Sequence, residues 1–424
     1  MVRQGVPTPA LWSAQAHMPS VLGRQIEIVG GEGAYVTTSS GQRLLDATAG
    51  LWHTNVGHGR EELARAAYDQ MKRLETYHVF GRFVNDAALA LADRVAAYAP
   101  FLDARVILTS GGSDSVDSAC KLARRHWQLE GKKDKKVILS REYAYHGLHG
   151  FGTSVAGLQP NRDGYGTDSL IPETARVAHS DIAQVEMAIR QIGASNIAAI
   201  IAEPIMGTGG VIPPAPGYLE GLQRLAIEHD ILLIADEVIT GFGRAGTIFA
   251  CERYNFVPDM LLMAKGITSG YLPLGGVLVA PRLWKRFYDG PAAPVYRHGL
   301  TYSGHATACA VANANLDILE REQLVQRAGQ LEKVLDKALN RAREHELVDE
   351  VRNAGLLGGI QLSTSIDGEA VVDYGLDHGV ILRLLRGNTV QISPPFIVEE
   401  EEIETIVNTI LVGAEMQSKK GTVA

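Results

Sequence analysis

The 424-residue chain is 46% apolar and 21% charged, with a formal net charge of −8. That balance fits an ordinary soluble globular protein of two or three domains and argues against a dedicated nucleic-acid surface. Cys120, Cys251 and Cys309 are widely spaced, with no CxxC pair. They fit reduced, buried thiols of a cytoplasmic protein better than a disulfide framework or a zinc site, and no apolar run reaches the roughly 18 residues of a membrane span.

The first 60 residues are rich in Gly, Pro and turn formers. They read as irregular structure with a small hairpin or sheet near 26–29, and the N-terminus carries no signal-peptide core. Helical periodicity begins near 61, with Leu63, Ala66, Ala67, Gln70, Met71 and Leu74 marking one face. A second helix is expected over 86–98. Short, nearly all-apolar strands follow at 106–109, 136–140, 197–202, 231–236, 260–263 and 276–280, with helices at 114–129, 181–192 and 217–229 between them. Strands of that kind belong to a sheet buried on both faces. The run Lys132, Lys133, Lys135 and Lys136, broken by Asp134, reads as a solvated loop.

Beyond 306 the pattern changes to a long helix over 307–346, strands at 358–362, 380–384 and 390–392, and a last helix over 399–415. The expected architecture is α/β: a large domain, 61–305, on a mainly parallel sheet, and a smaller α+β domain, 306–424, which the N-terminal segment 1–60 joins. There is no repeat of 20–50 residues.

Three segments carry chemistry. Asp236 ends the apolar strand Ile231-Leu-Leu-Ile-Ala-Asp236, at the strand edge where α/β folds bind ligands; taken alone, it could equally serve a salt bridge or a cap. Lys265 follows the next strand, and a lysine in a partly apolar site becomes nucleophilic; alone it could be a surface residue. Thr109-Ser-Gly-Gly-Ser-Asp114 joins a strand to a helix, with Ser113 expected to cap a helix beginning at Asp114. Such a loop can present N–H groups to an anion, or be an ordinary turn. Together, an anion cradle, a strand-end aspartate and a strand-end lysine are the parts of a pyridoxal 5'-phosphate (PLP) site.

Four further motifs make the chain resemble class III aminotransferases, PLP enzymes of fold type I, and among them the ω-amino acid:pyruvate and amine:pyruvate branch. They are Ala202-Glu-Pro-Ile205, Ala235-Asp-Glu-Val-Ile-Thr-Gly-Phe-Gly-Arg244, Ala264-Lys-Gly266 and Gly299-Leu-Thr-Tyr-Ser-Gly-His305. The resemblance implies that Lys265 is the Schiff-base lysine, Asp236 the partner of the pyridine nitrogen, and Gly111, Gly112 and Ser113 the phosphate loop. That loop departs from the family pattern, with Gly111 where a serine is usual. It implies further that Tyr145, in Tyr143-Ala-Tyr-His-Gly147, stacks on one ring face and Val238 on the other. His146 and Glu203 complete the cofactor site. Thr301 would hold the phosphate of a neighbouring subunit, which implies a homodimer, with a tetramer left open.

For substrate, the resemblance implies that Trp52 walls a small pocket, unless it is a core tryptophan. Phe80 and Arg82 would line a second pocket, although Arg82 could instead make a surface ion pair. A mobile arginine would bind the keto-acid carboxylate, and both Arg383 and Arg386 stand in that stretch. The implied reaction is ping-pong transfer from an amine or ω-amino acid to pyruvate or another keto acid, through a pyridoxamine 5'-phosphate form. Other class III activities (aminomutase, lyase, decarboxylase) are the alternative. A non-catalytic amino-compound sensor is a further one, although no basic helix-turn-helix segment precedes residue 60.

Overall fold

The computed structural model describes residues 10–165 and 170–421. The first nine residues of the expected irregular segment and the last three of the chain lie outside the described residues. Among the described residues a seven-stranded sheet forms the centre. Its order is Arg105–Thr109, Gly275–Val279, Met260–Met263, Leu232–Asp236, Ile197–Ala202, Val137–Arg141 and Thr174–Val177. Every pairing is parallel except those of Gly275–Val279, which runs against both neighbours.

Alternation along these apolar strands explains why the sheet is covered twice. Leu139, Ile200, Leu233, Ala235 and Leu261 face one way and pack with Val185, Ile189, Leu222 and Leu225 of the helices Ile182–Ile192 and Tyr218–Glu228. Ile138, Ile201, Leu232, Ile234 and Leu262 face the other way, onto Val116, Ala119, Cys120, Ala123 and Trp127 of the helix Gly112–Leu129. Each buried Val, Leu or Ile side chain among them contributes about 1.5–3 kcal/mol. The parallel strands therefore end along one edge, where Arg141, Ala202, Asp236 and Met263 hand the chain to its loops.

Two four-stranded sheets flank this core. In one, Ile28–Glu32, Tyr35–Thr38 and Arg43–Asp46 are joined by Val380–Ile381, which pairs in parallel with Arg43–Asp46. The other is antiparallel: Val348–Asn353, Gly358–Leu362, Thr389–Ile392 and Leu384–Leu385.

Several expectations need correction. The long helix breaks into Ala306–Arg321 and Leu324–Arg343, because Gln323 takes a left-handed φ of 51°. The expected strand over 380–384 is two pieces in different sheets, parted at Arg383. Lys135 is buried rather than solvated. Its ammonium donates to the Asp230 carbonyl at 2.6 Å and lies over the Trp127 ring. Met71 is exposed, so the buried face of its helix is narrower than the periodicity suggests. All three cysteines are buried and free.

Candidate active site

The loops at the sheet's carboxyl edge line a cavity of about 140 Å3. Gly112, Ser113, Tyr145, His146, Glu203, Asp236, Val238 and Lys265 line it, together with Val116, Gly147 and Ile239. Of the expected cofactor residues, eight thus meet in one chamber from five separate loops.

Lys265 begins a 3-10 turn, Lys265–Ile267, with a left-handed φ of 49°. The turn is held from outside: Asn315 Nδ2 donates to the Gly266 and Ile267 carbonyls at 2.9 and 3.0 Å. The lysine lines the cavity, and burial lowers its pKa to about 8. Asp236 and Glu203 act against that shift, while Arg383 adds to it. A depressed pKa leaves more of the amine neutral and nucleophilic near pH 7.

Asp236 is buried and fully engaged on its near side. Its Oδ2 lies 2.7 Å from His146 Nδ1, and its Oδ1 accepts the Val238 N–H at 3.1 Å. A carboxylate that accepts there takes its hydrogen from Nδ1. The His146 Nε2 is buried without a hydrogen-bond partner among the described residues. Glu203 uses both oxygens, accepting the Tyr145 N–H at 3.1 Å and the Gly207 N–H at 3.0 Å. Burial raises its pKa, and the neighbouring Asp236 charge adds to that rise.

The glycine loop differs locally from expectation. The helix begins at Gly112, with Gly111 as its N-cap in extended backbone, so Ser113 sits in the first turn and does not cap it. The Ser113 hydroxyl instead accepts the Leu148 N–H at 3.2 Å, which ties the loop to the segment carrying Tyr145. A Cβ on Gly112 would meet Val238 Cγ1 at 2.9 Å, so the floor of the cavity has no room for a side chain there.

Trp52 is buried, again with a left-handed φ, 62°. Lys265 Nζ lies 5.4 Å from its ring centroid, and the Arg383 guanidinium 4.7 Å from it. Trp52 is thus a wall shared by the lysine and one arginine. Arg383 is half-buried, which pulls its pKa down, and its Nη1 is buried without a partner among the described residues. Arg386 points elsewhere and stacks on Tyr143 at 3.3 Å.

Phe80, Arg82 and Thr301 do not line the cavity of this chain. All three are exposed. Phe80 lies against Gly299, and Asn85 Nδ2 donates to the carbonyls of Tyr77 and Gly304, so the two segments form one surface. Arg82 forms no ion pair among the described residues. Sequence reasoning missed Gln15, whose side chain reaches the Tyr145 hydroxyl; no local pattern marks it. Ile239 was within reach, since it lies inside the Ala235-to-Arg244 motif.

The Aminotransferase class-III family model matches residues 19–412. A putrescine–pyruvate aminotransferase of Pseudomonas aeruginosa is 36% identical over 405 residues, covering 89% of this chain and 87% of that one. A β-alanine–pyruvate aminotransferase of the same organism is 35% identical, covering 90% of each. Among solved structures, a thermostable (S)-enantioselective omega-transaminase from Thermomicrobium roseum superposes with a TM-score of 0.90 at 34% identity, covering 95% of each chain. An amine transaminase from an uncultivated Pseudomonas species, solved in a PLP-bound (internal aldimine) form, matches with a TM-score of 0.90 at 33% identity, over 97% of this chain and 99% of that one. The chain belongs to the class III aminotransferases and is a transaminase.

Proposed function

We propose that the chain is a PLP-dependent ω-transaminase that moves an amino group from an amine or ω-amino acid to pyruvate or a similar keto acid. The observation that carries this reading is the juxtaposition of a lysine of lowered pKa, Lys265, with the Asp236–His146 pair in one cavity, and with Arg383 across Trp52.

The cavity suits the cofactor by its chemistry. It offers a neutral-prone amine, a carboxylate aimed inward and a side-chain-free floor at Gly112. Gly111, Gly112 and Ser113 would take the phosphate on backbone N–H groups at a helix N-terminus. Tyr145 and Val238 would hold the two ring faces, with Glu203 fixing the Tyr145 backbone. Thr301 of a second copy would complete the phosphate site, and the surface formed by 77–85 and 299–304 supports a homodimer. PLP, when bound, supplies the electron sink that stabilises a carbanion at the substrate carbon.

The protein's own residues do the rest. Asp236, oriented by His146, would face the ring nitrogen and hold it protonated. Lys265 would be the general base that takes the proton from the donor carbon and the general acid that delivers it again from the same face. Trp52 limits the group that fits beside the lysine. Arg383 pairs with the acceptor carboxylate, which satisfies its orphan Nη1. Phe80 and Arg82 would line the donor side from the neighbouring subunit's surface.

The pairing of Arg43–Asp46 with Val380–Ile381 supports a small domain made from 1–60 and 306–424, beside a large domain 61–305. Three buried free thiols support a cytoplasmic home. No described helix is long and apolar enough to cross a membrane, and no nucleic-acid partner is proposed.

The test is Lys265→Ala. The variant should lose the visible absorption of the holoenzyme and form no alanine from pyruvate with β-alanine, 4-aminobutyrate, ornithine, putrescine or 1-phenylethylamine as donor. Turnover retained by that variant would overturn the assignment.

A further inference from the structure

The turn that carries Lys265 is clamped by two asparagines. Asn55 closes the Cα side of Gly266: a Cβ there would fall 2.5 Å from Asn55 Nδ2 and 3.1 Å from Phe242 Cβ. Asn55 is itself tied in place, since its Nδ2 donates to the Phe242 carbonyl at 3.2 Å and its Oδ1 accepts from Arg244 at 2.9 Å. Asn315 meets the carbonyls. It is wholly buried on the helix Ala306–Arg321, which packs against the turn. Its Nδ2 spans two successive carbonyls, those of Gly266 and Ile267, at 2.9 and 3.0 Å. The turn's own backbone bonds are longer. They run from the Ile267, Thr268 and Ser269 N–H groups at 3.2, 3.3 and 3.3 Å.

The packing of its helix gives no reason for an amide at 315. Val311, Ala312, Leu316, Ile318 and Leu319 around it on the helix are buried apolar residues. The Asn315 Oδ1 is buried without a hydrogen-bond partner among the described residues. A leucine would fill a similar volume without burying that oxygen. The side chain is explained by its donor end, which meets the turn. The turn needs such a hold, because Lys265 and Ser269 both take left-handed φ angles, 49° and 48°.

We propose that Asn315 is a positioning residue for the reaction: by holding the Gly266 and Ile267 carbonyls it fixes the direction in which Lys265 enters the cavity, and so governs proton transfer rather than substrate binding. The inference rests on the role of Lys265 given under the proposed function. A lysine stem is long and flexible, so the backbone anchor decides much of where its amine stands. A misplacement of about 1 Å can slow a reaction roughly 100-fold.

The experiment compares the full native chain with Asn315→Leu and Asn315→Asp, with Lys265→Ala as control. Asn315→Leu keeps the volume and removes the donor. In the holoenzyme, kcat and kcat/KM per bound cofactor should fall together at least about tenfold, with KM within about twofold, as expected when only the transition state is affected. A second readout needs no turnover. Capture of a neutral aromatic aldehyde at Lys265 of the cofactor-free protein, trapped by mild reduction and mapped, should slow, and its pH profile should level off above the value of about 8 at which the native lysine titrates. Asn315→Asp sets a carboxylate against two carbonyls. It should show the same loss near pH 8, and its rate relative to native should recover as the pH falls towards about 5, where a protonated carboxyl regains a donor. This variant decides the matter where the leucine does not fold. A role in packing alone would lower the melting temperature and leave kcat per bound cofactor and the capture profile as in the native protein; that result in either folded variant overturns the proposal. Turnover kept by Lys265→Ala would instead sink the proposed function.

Discussion

The depressed pKa of Lys265 makes a prediction about the protein before it acquires a cofactor. An ordinary lysine titrates at 10.5 and this one at about 8, because its surroundings exclude water more than Asp236 and Glu203 compensate. At pH 7 the neutral fraction is then roughly one in ten, against about one in three thousand for an ordinary lysine, a gain of roughly 300-fold. The neutral amine is the form that attacks an aldehyde. The rate at which cofactor-free protein captures a neutral aromatic aldehyde, trapped by mild reduction and mapped to Lys265, should rise about tenfold per pH unit up to about 8 and then level off. The same shift acts on stability. Between about 8 and 10.5 the unfolded chain holds a proton that the folded one has released, so this group's contribution to stability grows with pH across that window. A capture rate that keeps climbing tenfold per unit through pH 9 and 10 would refute the reasoning.

Two further outcomes test groups that support the site from beneath. Glu237 is wholly buried and accepts from Thr240, the Ala250 N–H at 3.0 Å and the Cys251 N–H at 2.7 Å; burial raises its pKa to about 7. The folded state therefore binds this proton more tightly than the unfolded one. Its contribution is full below pH 4.5 and is lost as pH rises towards 7, so Glu237→Gln should flatten the melting-temperature profile across that range. Arg244 is buried with no carboxylate in an ion pair with it among the described residues, and it donates to the carbonyls of Leu356 and Pro394 and to Asn55 Oδ1. Arg244→Met should cost about 2–4 kcal/mol in denaturant unfolding, because three buried acceptors lose their donor; an unchanged midpoint would show that water replaces it.

The features legible in the sequence were those where composition breaks an expectation. Asp236 and Lys265 stood out because a charge at the end of a wholly apolar strand has no burial rationale, and the fold brings both to one cavity. The elements that escaped notice have no such contrast. Thr174–Val177 is short and only its last residue is fully buried, and Val348–Asn353 reads as polar because it lies at a sheet edge with no fully buried residue. Lys135 hid inside a charge run, since only the folded chain supplies the Trp127 ring and the carbonyls that receive it.

Backbone strain was wholly invisible. Trp52, Tyr143 and Lys265 all take left-handed φ angles that their side chains disfavour, each at a cost of order 1–3 kcal/mol. Local propensity predicts none of them. What holds them is tertiary: Asn315 fixes the turn after Lys265, Gly209 seats the Tyr143 carbonyl, and the N-terminal segment packs Trp52 against Arg383. Lys265 lines the cavity, Trp52 borders both Lys265 and Arg383, and Tyr143 lies beneath the Arg386 guanidinium. Left-handed residues also occur in the core, as at Val211 and Phe242, but at Trp52, Tyr143 and Lys265 a glycine would relieve the strain only by removing a side chain that borders the cavity or its arginines.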